Sequence, residues 1–431
     1  MPKKIAVIGG GFSGTMVIRQ LVDQGFTGTI DRFIRGESQT VGPAYQQSSS
    51  SLLLNVRSHN MSAFPDDAAH FLRFLQKDYP DQSLPNNFIS RSIYGAYLTK
   101  IWNETQTLAQ KAQIQLNIIR ESQPNYEHYD AIVLATGNEL PRIPNVLSAH
   151  VSSSPFYQGN PWDIDFDRID RELPIFILGN GLTMIDTVFS LRQAGFQQKI
   201  VALSTHGFNM LAHPENEELI DMQKPPLNAD LASLIHFFNV QRKTLTGTQF
   251  LLFVDSFRPH FSSWWQGFSL KEKQTFLNRF RHIWGTIRHR IPEQIAHIIK
   301  EEQEKEQLIV CAGKLASVDL TIRGGSIQYF SGEEKIQNDF ACLINCTGPE
   351  TAITRMTNPV INVLFEREWI KPDKVNQGIK IDATEHTVLG KAPMKIFAIG
   401  NLCKGTLWES TAIGELRAQA KLIAKGILES K

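Results

Sequence analysis

Lys4-Ile-Ala-Val-Ile-Gly-Gly-Gly-Phe-Ser-Gly14 joins an apolar, strand-like run to the pattern Gly9-x-Gly11-x-x-Gly14 and then to a helical pattern. Gly9 permits a tight turn, and Gly11 lets the backbone approach a pyrophosphate. Gly14 lets the following helix pack closely on the strand, so that the free N–H groups at its positive end face the diphosphate. This order predicts a dinucleotide-binding turn, whose alternative is a glycine-rich structural turn without a ligand.

Several residues around this turn are candidates for cofactor contacts, namely Gly9, Gly11, Phe12, Ser13 and Gly14. A predicted second strand, Ile30 to Ile34, is followed by Glu37, where a carboxylate can accept hydrogen bonds from the adenosine ribose. Two extra residues before that strand leave the register open. The alternative for Glu37 is an ordinary solvated loop glutamate.

The composition limits the classes of function that the chain can have. A length of 431 residues suggests two or three domains, and a net charge of +1 gives no overall basic field to attract nucleic acid or anionic lipid. The first strand begins by residue 4, which leaves no room for a signal peptide, and no apolar run is long enough to cross a bilayer. We therefore expect a cytoplasmic protein that binds neither nucleic acid nor membranes.

The four cysteines, Cys311, Cys342, Cys346 and Cys403, form no Cys-x-x-Cys pair. This spacing argues against a dithiol redox centre and against a zinc site, and no metal site is predicted. Cys342 and Cys346 lie in the apolar run Phe340-Ala-Cys-Leu-Ile-Asn-Cys346. We expect both to be small buried hydrophobic residues.

A second glycine turn follows the apolar strand that begins at Pro174 and has the pattern Gly179-x-Gly181-x-x-Met184. Methionine replaces the third glycine, so we expect the helix to be held off the strand or to pack differently. Phosphate still has access to Gly181, and Gly179 and Thr183 are further candidates for contacts. No arginine follows the next predicted strand, Lys199 to Leu203, so a 2′-phosphate has no obvious partner there.

Two further apolar strands end alike, in Ala135-Thr136-Gly137 and in Cys346-Thr-Gly348. Each lies about one nucleotide-binding unit beyond a glycine turn, which predicts two dinucleotide domains whose strand ends open on a crevice. A third strand ends in Gly400-Asn401 and leads to a helix predicted to start near Ser410 and Thr411. The positive end of that helix favours an anionic reduced flavin.

Two segments between the strands carry candidate ligand contacts. The loop 52–62 mixes amide, hydroxyl, thioether and imidazole groups, and we expect Asn55 and Met61 to line a ligand. Residues 209–305 are mostly helical, and their apolar stripe at helical spacing indicates a packed core. In Arg288-His289-Arg290 the alternatives are exposed surface cations and anion recognition at a cleft. The candidate catalytic residues are His206, His213, Arg288 and His289, although a histidine alone is more often structural.

Together these motifs resemble the two-dinucleotide-domain flavoproteins, which include flavin-containing monooxygenases and disulfide reductases, and more closely the bacterial FAD-NAD(P)-binding family. The matching segments cover nearly the whole chain: Gly9 to Gly14, Gly42-Pro-Ala-Tyr45, Leu53-Leu-Asn-Val56 with Asn60-Met-Ser62, Gly179 to Asp186, Arg288 to Pro292, Asn345-Cys-Thr-Gly-Pro349, and Leu407 to Ala412 with Glu415-Leu-Arg417.

This resemblance implies FAD in the first domain, held by residues that match the family motifs: Gly9, Gly11, Gly14, Glu37, Thr136, Gly137, Gly400 and Asn401. It implies an α/β fold with two Rossmann-like domains in a glutathione-reductase-like arrangement and a helical insertion. We expect an FAD domain in 1–150 and 340–431, an NAD(P)-binding-like domain in 151–208 and 306–339, and the insertion in 209–305. Relatives often carry Ser-Arg where this chain has Ser204-Thr205, which puts a preference for NADP in doubt.

The main hypothesis is an FAD-dependent oxidoreductase that is reduced by NADH or NADPH and acts on a small organic substrate, a monooxygenase being one form of it. The cofactor carries the chemistry, which explains why no catalytic triad or carboxylate pair stands out. The absence of Cys-x-x-Cys disfavours a disulfide reductase. One alternative is a protein that holds FAD for structure or sensing, and another is a flavin oxidase or dehydrogenase that never binds nicotinamide. The substrate and the oligomeric state stay open.

Overall fold

The computed structural model of the protein describes residues 3–35, 41–46, 52–121, 124–215 and 229–430. The strands in these residues are β1 (Lys3–Ile8), β2 (Gly28–Phe33), β3 (Gln115–Ile119), β4 (Ala131–Leu134), β5 (Tyr157–Gln158), β6 (Ile175–Leu178), β7 (Ile200–Ser204), β8 (Leu308–Ala312), β9 (Lys314–Leu320), β10 (Gly325–Ser331), β11 (Glu334–Phe340), β12 (Cys342–Asn345) and β13 (Lys395–Ala398).

The α-helices are interleaved with these strands, and a π-helical turn over Phe276–Phe280 joins two of them. In chain order they are α1 (Phe12–Asp23), α2 (His70–Asp78), α3 (Arg91–Lys111), α4 (Ala149–Ser152), α5 (Leu182–Gln193), α6 (Leu231–Thr244), α7 (Gly247–Ser256), α8 (Phe261–Gly267), α9 (Leu270–Thr275), α10 (Arg281–Arg288), α11 (Glu293–Glu304), α12 (Pro359–Glu366), α13 (Lys404–Leu407) and α14 (Ile413–Glu429).

The first sheet has the order β13-β4-β1-β2-β3, and all its neighbouring strands are parallel. Its central strand β1 is buried on both faces, as a parallel sheet covered by helices requires. Ile5 and Val7 belong to the core that contains α1 and α14, whereas Ala6 and Ile8 belong to the core that contains α12. This sheet presents the first glycine turn at the carboxyl end of β1.

The second sheet has the order β5-β12-β6-β7-β8 and is also parallel. Its strands occupy the same places as those of the first sheet, with the glycine-turn strand β6 at the centre. The two sheets confirm the predicted α/β fold with two Rossmann-like units. Because Cys342 pairs with Ile175, β12 belongs to this second sheet, so the boundary that we predicted at residue 340 lies after Asn345.

Two further elements depart from the predicted domain boundaries. An antiparallel sheet of β9, β10 and β11 lies between β8 and β12 in the chain. Helix α11, which we placed in the insertion, packs its Ile295 and Ile299 into the core of the second sheet. Its apolar face fits that sheet, so we restrict the insertion to α6 through α10.

The insertion has its own aromatic core and is attached to the first domain. Phe253 and Phe257 pack edge to face with ring centroids 4.8 Å apart. The predicted apolar stripe joins the same core, since Phe276 is buried in it and Phe280 and Trp284 pack against it. The Trp265 Nε1 donates to the carbonyl of Gly405 at 2.9 Å, and Arg258 pairs with Glu415 at 2.8 Å. Within the described ranges, no helix combines the length and apolar character needed to span a bilayer.

Candidate cofactor and substrate site

The first turn requires glycine where the chain passes closest to itself. Gly9 has φ +138°, and a Cβ there would lie 2.0 Å from the carbonyl oxygen of Ala135. A Cβ at Gly14 would lie 2.2 Å from the carbonyl oxygen of Gly9. Gly11 caps α1 without a side-chain hydrogen bond, so the N–H groups of the first helical turn stay available to an anion. This geometry fits a dinucleotide diphosphate.

The other candidates near the first turn differ in what they can contribute. Phe12 has its side chain in the first core, so only its backbone is available to a ligand. Ser13 is half-buried at the start of α1 and keeps its candidate role. Glu37 lies outside the described residues, and its predicted ribose contact stays a prediction.

A buried arginine below the first turn is a feature that the sequence analysis missed. The Arg32 Nη2 donates to the carbonyl of Gly10 at 2.8 Å and to the Thr15 hydroxyl at 2.7 Å, and its guanidinium lies 3.9 Å from the Trp102 ring centroid. Burial lowers the pKa of Arg32 to about 9, which still leaves it charged at neutral pH. In the described part of the chain, its Nε and Nη1 have no hydrogen-bond partner. The positive charge of this guanidinium adds to the potential that attracts an anion to the turn.

The second turn matches the first at its middle glycine and differs at its first glycine. Gly181 has φ −83° and ψ −165°, against −85° and −167° at Gly11. Gly179 has φ +98°, against +138° at Gly9, and a Cβ there would lie 2.4 Å from the carbonyl oxygen of Cys346. Met184 is buried in the second core. Because a Cβ at the equivalent Gly14 would lie 2.2 Å from the Gly9 carbonyl oxygen, the second turn cannot repeat the close approach of the first, which agrees with the different packing that we expected.

A cavity of about 900 Å³, which we call the cleft, lies where the two domains and the insertion meet. It brings together predicted residues from all three parts, namely His206, Gly179, Gly181, Thr183, His289, Gly348, Asn401 and Thr411. Its size matches the range of natural ligand sites. The predicted crevice at the strand ends is therefore present, and the insertion covers one side of it.

The first-domain side of the cleft follows β13. Asn401 is 5% exposed, and among the described residues its Nδ2 has no hydrogen-bond partner, so this group can donate to a ligand beside the cleft. Ser410 is fully buried and donates to the carbonyl of Gly400 at 2.9 Å. Its hydroxyl therefore shapes the turn at Gly400 (φ +77°) rather than facing a ligand. The following helix begins at Ile413, later than we predicted, and Thr411 is the residue of this segment that lines the cleft.

The strand ends beside the two turns keep the positions that the pattern predicted. Ala135 is buried with its carbonyl against Gly9, and Thr136 is half-buried next to it. Gly137 and Gly348 have φ +74° and +88°, and a Cβ at either would meet only open space. Both glycines therefore leave room for a ligand at the ends of β4 and β12.

The insertion supplies cations to the cleft that we did not select from the sequence. Arg281 and His282 line it, and the His282 ring lies 4.6 Å from the His206 ring. Burial, followed by the charges of Arg281 and His206, lowers the pKa of His282 to about 4, so it is neutral at neutral pH. Burial also lowers the pKa of His289, although Glu409 opposes this effect. Arg281 gives this side of the cleft a positive charge that can bind an anion, and the imidazoles of His282 and His289 lie beside it.

Arg288 and Arg290 have a different role from the anion recognition that we considered. Arg288 is buried, and its Nη1 lies 2.5 Å from a carboxylate oxygen of Asp255, which also pairs with Arg290. Glu409 lies 3.9 Å from the Arg288 Nε. Neither arginine lines the cleft. The structure thus favours a structural ion-pair network, whose partner on α7 could not be inferred from the spacing of residues on α10.

His213 lies outside the cleft and connects the segment after β7 to the loop 52–62. Its Nε2 is 2.9 Å from the carbonyl oxygen of Asn55, and its ring is 5.0 Å from the Phe88 ring. Met61 is buried in the first core, where its carbonyl accepts a hydrogen bond from Tyr94. The loop therefore supports the contact between domains, and neither Asn55 nor Met61 lines the cleft. Their expected contact with a ligand stays a prediction.

An ion pair links the two dinucleotide domains near this loop. Arg91 at the start of α3 lies 2.7 Å from Asp186 on α5, and both side chains are largely buried. Burial raises the pKa of Asp186 to about 6 in spite of Arg91. The pair fixes the position of the second turn's helix relative to the first domain.

The cysteines behave as the sequence suggested. Cys342 and Cys346 are buried, and burial raises the pKa of each thiol to about 12. Such thiols are poor nucleophiles at neutral pH. The prediction of small buried hydrophobic residues is confirmed.

Comparisons with known proteins support the architecture. Residues 6–139 match the model of the FAD-NAD(P)-binding family. No curated protein matches the sequence. Ornithine hydroxylase (PvdA) from Pseudomonas aeruginosa has a similar structure, with a TM-score of 0.66, 13% sequence identity and 99% of both chains covered.

Two other solved structures cover the chain to the same extent. The ornithine N-hydroxylase of Kutzneria sp. 744, solved as KtzI-FADred-NADP+-L-orn, has a TM-score of 0.63, 13% identity and 99% of both chains covered. Bacillithiol disulfide reductase Bdr from Staphylococcus aureus has a TM-score of 0.56 and 10% identity, with 99% of this chain and 98% of that one covered. Residues 6–139 therefore match the FAD-NAD(P)-binding family, and the whole chain has the fold of two-dinucleotide-domain flavoproteins.

Proposed function

We propose that the protein is an FAD-dependent oxidoreductase that takes electrons from NADPH or NADH and acts on a small organic molecule, as a monooxygenase does. The observation that carries this proposal is the presence of two glycine turns, one on each parallel sheet, whose middle glycines Gly11 and Gly181 have nearly the same φ and ψ. Two such turns suit two dinucleotides. FAD belongs on the first turn and nicotinamide dinucleotide on the second.

The residues of the chain would bind and orient the two cofactors in defined ways. The first turn of α1 would donate N–H groups to the FAD diphosphate, with Arg32 adding positive charge from below. The Asn401 Nδ2 would donate to a group in the cleft. When bound, FAD supplies the electron transfer itself. The insertion would cover one side of the cleft.

The cation that binds a 2′-phosphate comes, in our proposal, from the insertion. Thr205 lines the cleft where relatives often carry arginine, and its neighbour His206 contacts His282, which follows Arg281 in the chain. A guanidinium is the group best suited to a phosphate. Arg281 therefore replaces the cation that the strand end lacks, and NADPH is the expected reductant.

The alternative of a protein that only holds FAD depended on Met184. Gly181, which caps the helix of the second turn, keeps the φ and ψ of Gly11 in spite of this methionine, so Met184 is a weak argument for a protein without turnover. A flavin oxidase that never binds nicotinamide would leave the Gly181 side of the cleft without a use. For these reasons we retain the reductase half-reaction as part of the proposed function.

The test is the absorption spectrum of the purified protein, with and without NADPH, for the native chain and two matched variants. A Cβ at Gly11 would lie 3.6 Å from Gly42, and one at Gly181 would meet no atom within 4 Å, so valine fits the fold at both positions. Gly11→Val should yield colourless protein because its side chain blocks the FAD diphosphate. Gly181→Val should stay yellow but resist bleaching by NADPH. Full flavin content in Gly11→Val would contradict the assignment.

We also propose a cytoplasmic location and a small-molecule partner. All four cysteines are free and three are buried, as is common in a reducing compartment. The cleft is a concave site of the size used for small ligands. Fractionation of cells that express a tagged chain tests the location.

A further inference from the structure

A second cavity lies among the helices of the insertion and is lined by α6, α7, α8 and α10, by the turn between α9 and α10, and by Trp408. It has a volume of about 350 Å³, and we call it the aromatic pocket. An engineered apolar cavity of about 150 Å³ already binds benzene, so the aromatic pocket has room for a molecule of roughly twice that size.

The lining of the aromatic pocket selects an apolar ligand. Ten of its eighteen lining residues are aromatic and six are aliphatic. The remaining two, Asn239 and Arg242, are exposed at the surface of α6. No carboxylate lines it in the part of the chain that the structure describes, so a diamine such as cadaverine would lose hydration of its ammonium groups there without an ionic partner.

The aromatic pocket shares a wall with the cleft. Trp284 and Trp408 line both cavities. The Trp284 Nε1 donates to Glu409 at 2.9 Å, and Trp408 stacks on Trp265 with ring centroids 4.9 Å apart. Trp408 has φ +59° and ψ −71°, a strained backbone for a bulky residue. Such strain is common where a side chain is held in place for function.

We propose that the aromatic pocket binds the body of the substrate, an uncharged and mainly apolar molecule of about bicyclic size, whose reacting end lies past Trp408 in the cleft. This inference rests on the proposed function, since the cleft is where the flavin would react. It separates this chain from the structurally similar hydroxylases, whose names specify charged amines such as ornithine.

The experiment is isothermal titration calorimetry of the full chain with 2-naphthol as an apolar probe and cadaverine as a charged one. Ile283 and Ile298 are both exposed helical isoleucines, 47% and 44% respectively, and only Ile283 lines the aromatic pocket. Ile283→Asp and Ile298→Asp are therefore a matched pair. A further variant, Ile235→Trp, fills the aromatic pocket by volume instead of by charge.

We expect saturable binding of 2-naphthol to the native chain and to Ile298→Asp, with at least about tenfold weaker binding to Ile283→Asp and Ile235→Trp. Cadaverine should not bind at the same site. Equal binding of 2-naphthol to all variants, no saturable binding to the native chain, or tight cadaverine binding that Ile283→Asp abolishes would each overturn the inference.

The flavin spectrum of the same preparations keeps this inference distinct from the proposed function. Yellow protein that NADPH bleaches but that does not bind 2-naphthol would refute the role of the aromatic pocket as a binding site and leave the oxidoreductase proposal in place. Colourless protein that binds 2-naphthol through Ile283 would refute the oxidoreductase and with it the role of the ligand as a substrate.

Discussion

The two glycine turns share the φ and ψ of their middle glycine and differ at the third position of the pattern, and the difference separates two functions of the motif. The first glycines, Gly9 and Gly179, both have positive φ, and a Cβ at either would meet a backbone carbonyl oxygen. The third position governs how closely the helix packs on the turn. A Cβ at Gly14 would lie only 2.2 Å from the Gly9 carbonyl oxygen, whereas the Met184 side chain is buried in the second core. A missing third glycine is therefore weak evidence against a dinucleotide site.

The largest expected effect comes from making the first turn resemble the second. Gly14→Met would push a side chain into the Gly9 carbonyl, so the turn must open and the diphosphate site is lost. We expect protein without flavin. We also expect the free energy of unfolding to fall by several kcal/mol, since steric strain and overpacking in a tight core cost about 1–3 kcal/mol or more. Flavin content and a thermal melt measure both effects.

The reciprocal variant, Met184→Gly, is the control. It should lower the free energy of unfolding by about 2–5 kcal/mol through lost burial and by about 1 kcal/mol more through the glycine in a helix. The variant should still bind FAD. If Gly14→Met binds FAD normally, the distinction between the two turns is wrong.

Variants of Arg288 and Arg281 on α10 test which cations of the insertion stabilise the fold and which bind a ligand in the cleft. Arg288→Ala should lower the free energy of unfolding by about 3 kcal/mol, because it removes one of the two arginines that pair with Asp255 and the cation that lies 3.9 Å from Glu409. Urea denaturation measures this loss. An unchanged midpoint together with weaker NADPH binding would restore the anion-recognition interpretation of Arg288.

Arg281→Ala should show the opposite pattern to Arg288→Ala, because Arg281 lines the cleft. We expect little change in stability and about 10- to 100-fold weaker NADPH binding, since a charge-assisted hydrogen bond contributes about 1.5–3 kcal/mol. The rate of flavin reduction as a function of NADPH and NADH concentration gives the comparison. Equal losses with both nucleotides would show that Arg281 does not contact the 2′-phosphate.

The smallest expected effect is on the pH dependence of stability and concerns His282, which lines the cleft. The pKa of His282 is about 4 in the folded chain against an ordinary value of 6.5, so the unfolded chain binds more protons between these pH values. Stability should therefore fall as the pH decreases from about 6.5 to about 4. His282→Gln should remove up to about 1 kcal/mol of this pH dependence, a modest amount because the ring is accessible from the cleft.

Thermal melts of His282→Gln at pH 7 and pH 5 measure this effect. His297→Gln, at an exposed position on α11, is the control. A His282→Gln melting temperature with the same pH dependence as the native chain would contradict the assignment.

The sequence predicted those features of the fold and of the site that depend on residues close together in the chain. The glycine turns, the strand ends at Gly137 and Gly348 and the aromatic core of the insertion all follow from spacing along one segment. Partners from distant segments were not predictable: the pattern on α10 could not reveal Asp255, and the pattern of Phe340 to Gly348 could not reveal its sheet. Periodicity likewise indicated a packed core but could not show that its helices line a cavity.

The order of strands in the two sheets has a consequence for synthesis. The second sheet is complete once residue 345 has been made, since β5 through β12 are contiguous in the chain. The first sheet needs β13, whose Lys395 pairs with Ala131 across more than half of the sequence. Until then β4 is an open edge on a growing ribosomal chain, a state prone to aggregation. The domain whose glycine turn is made first is thus the last to fold.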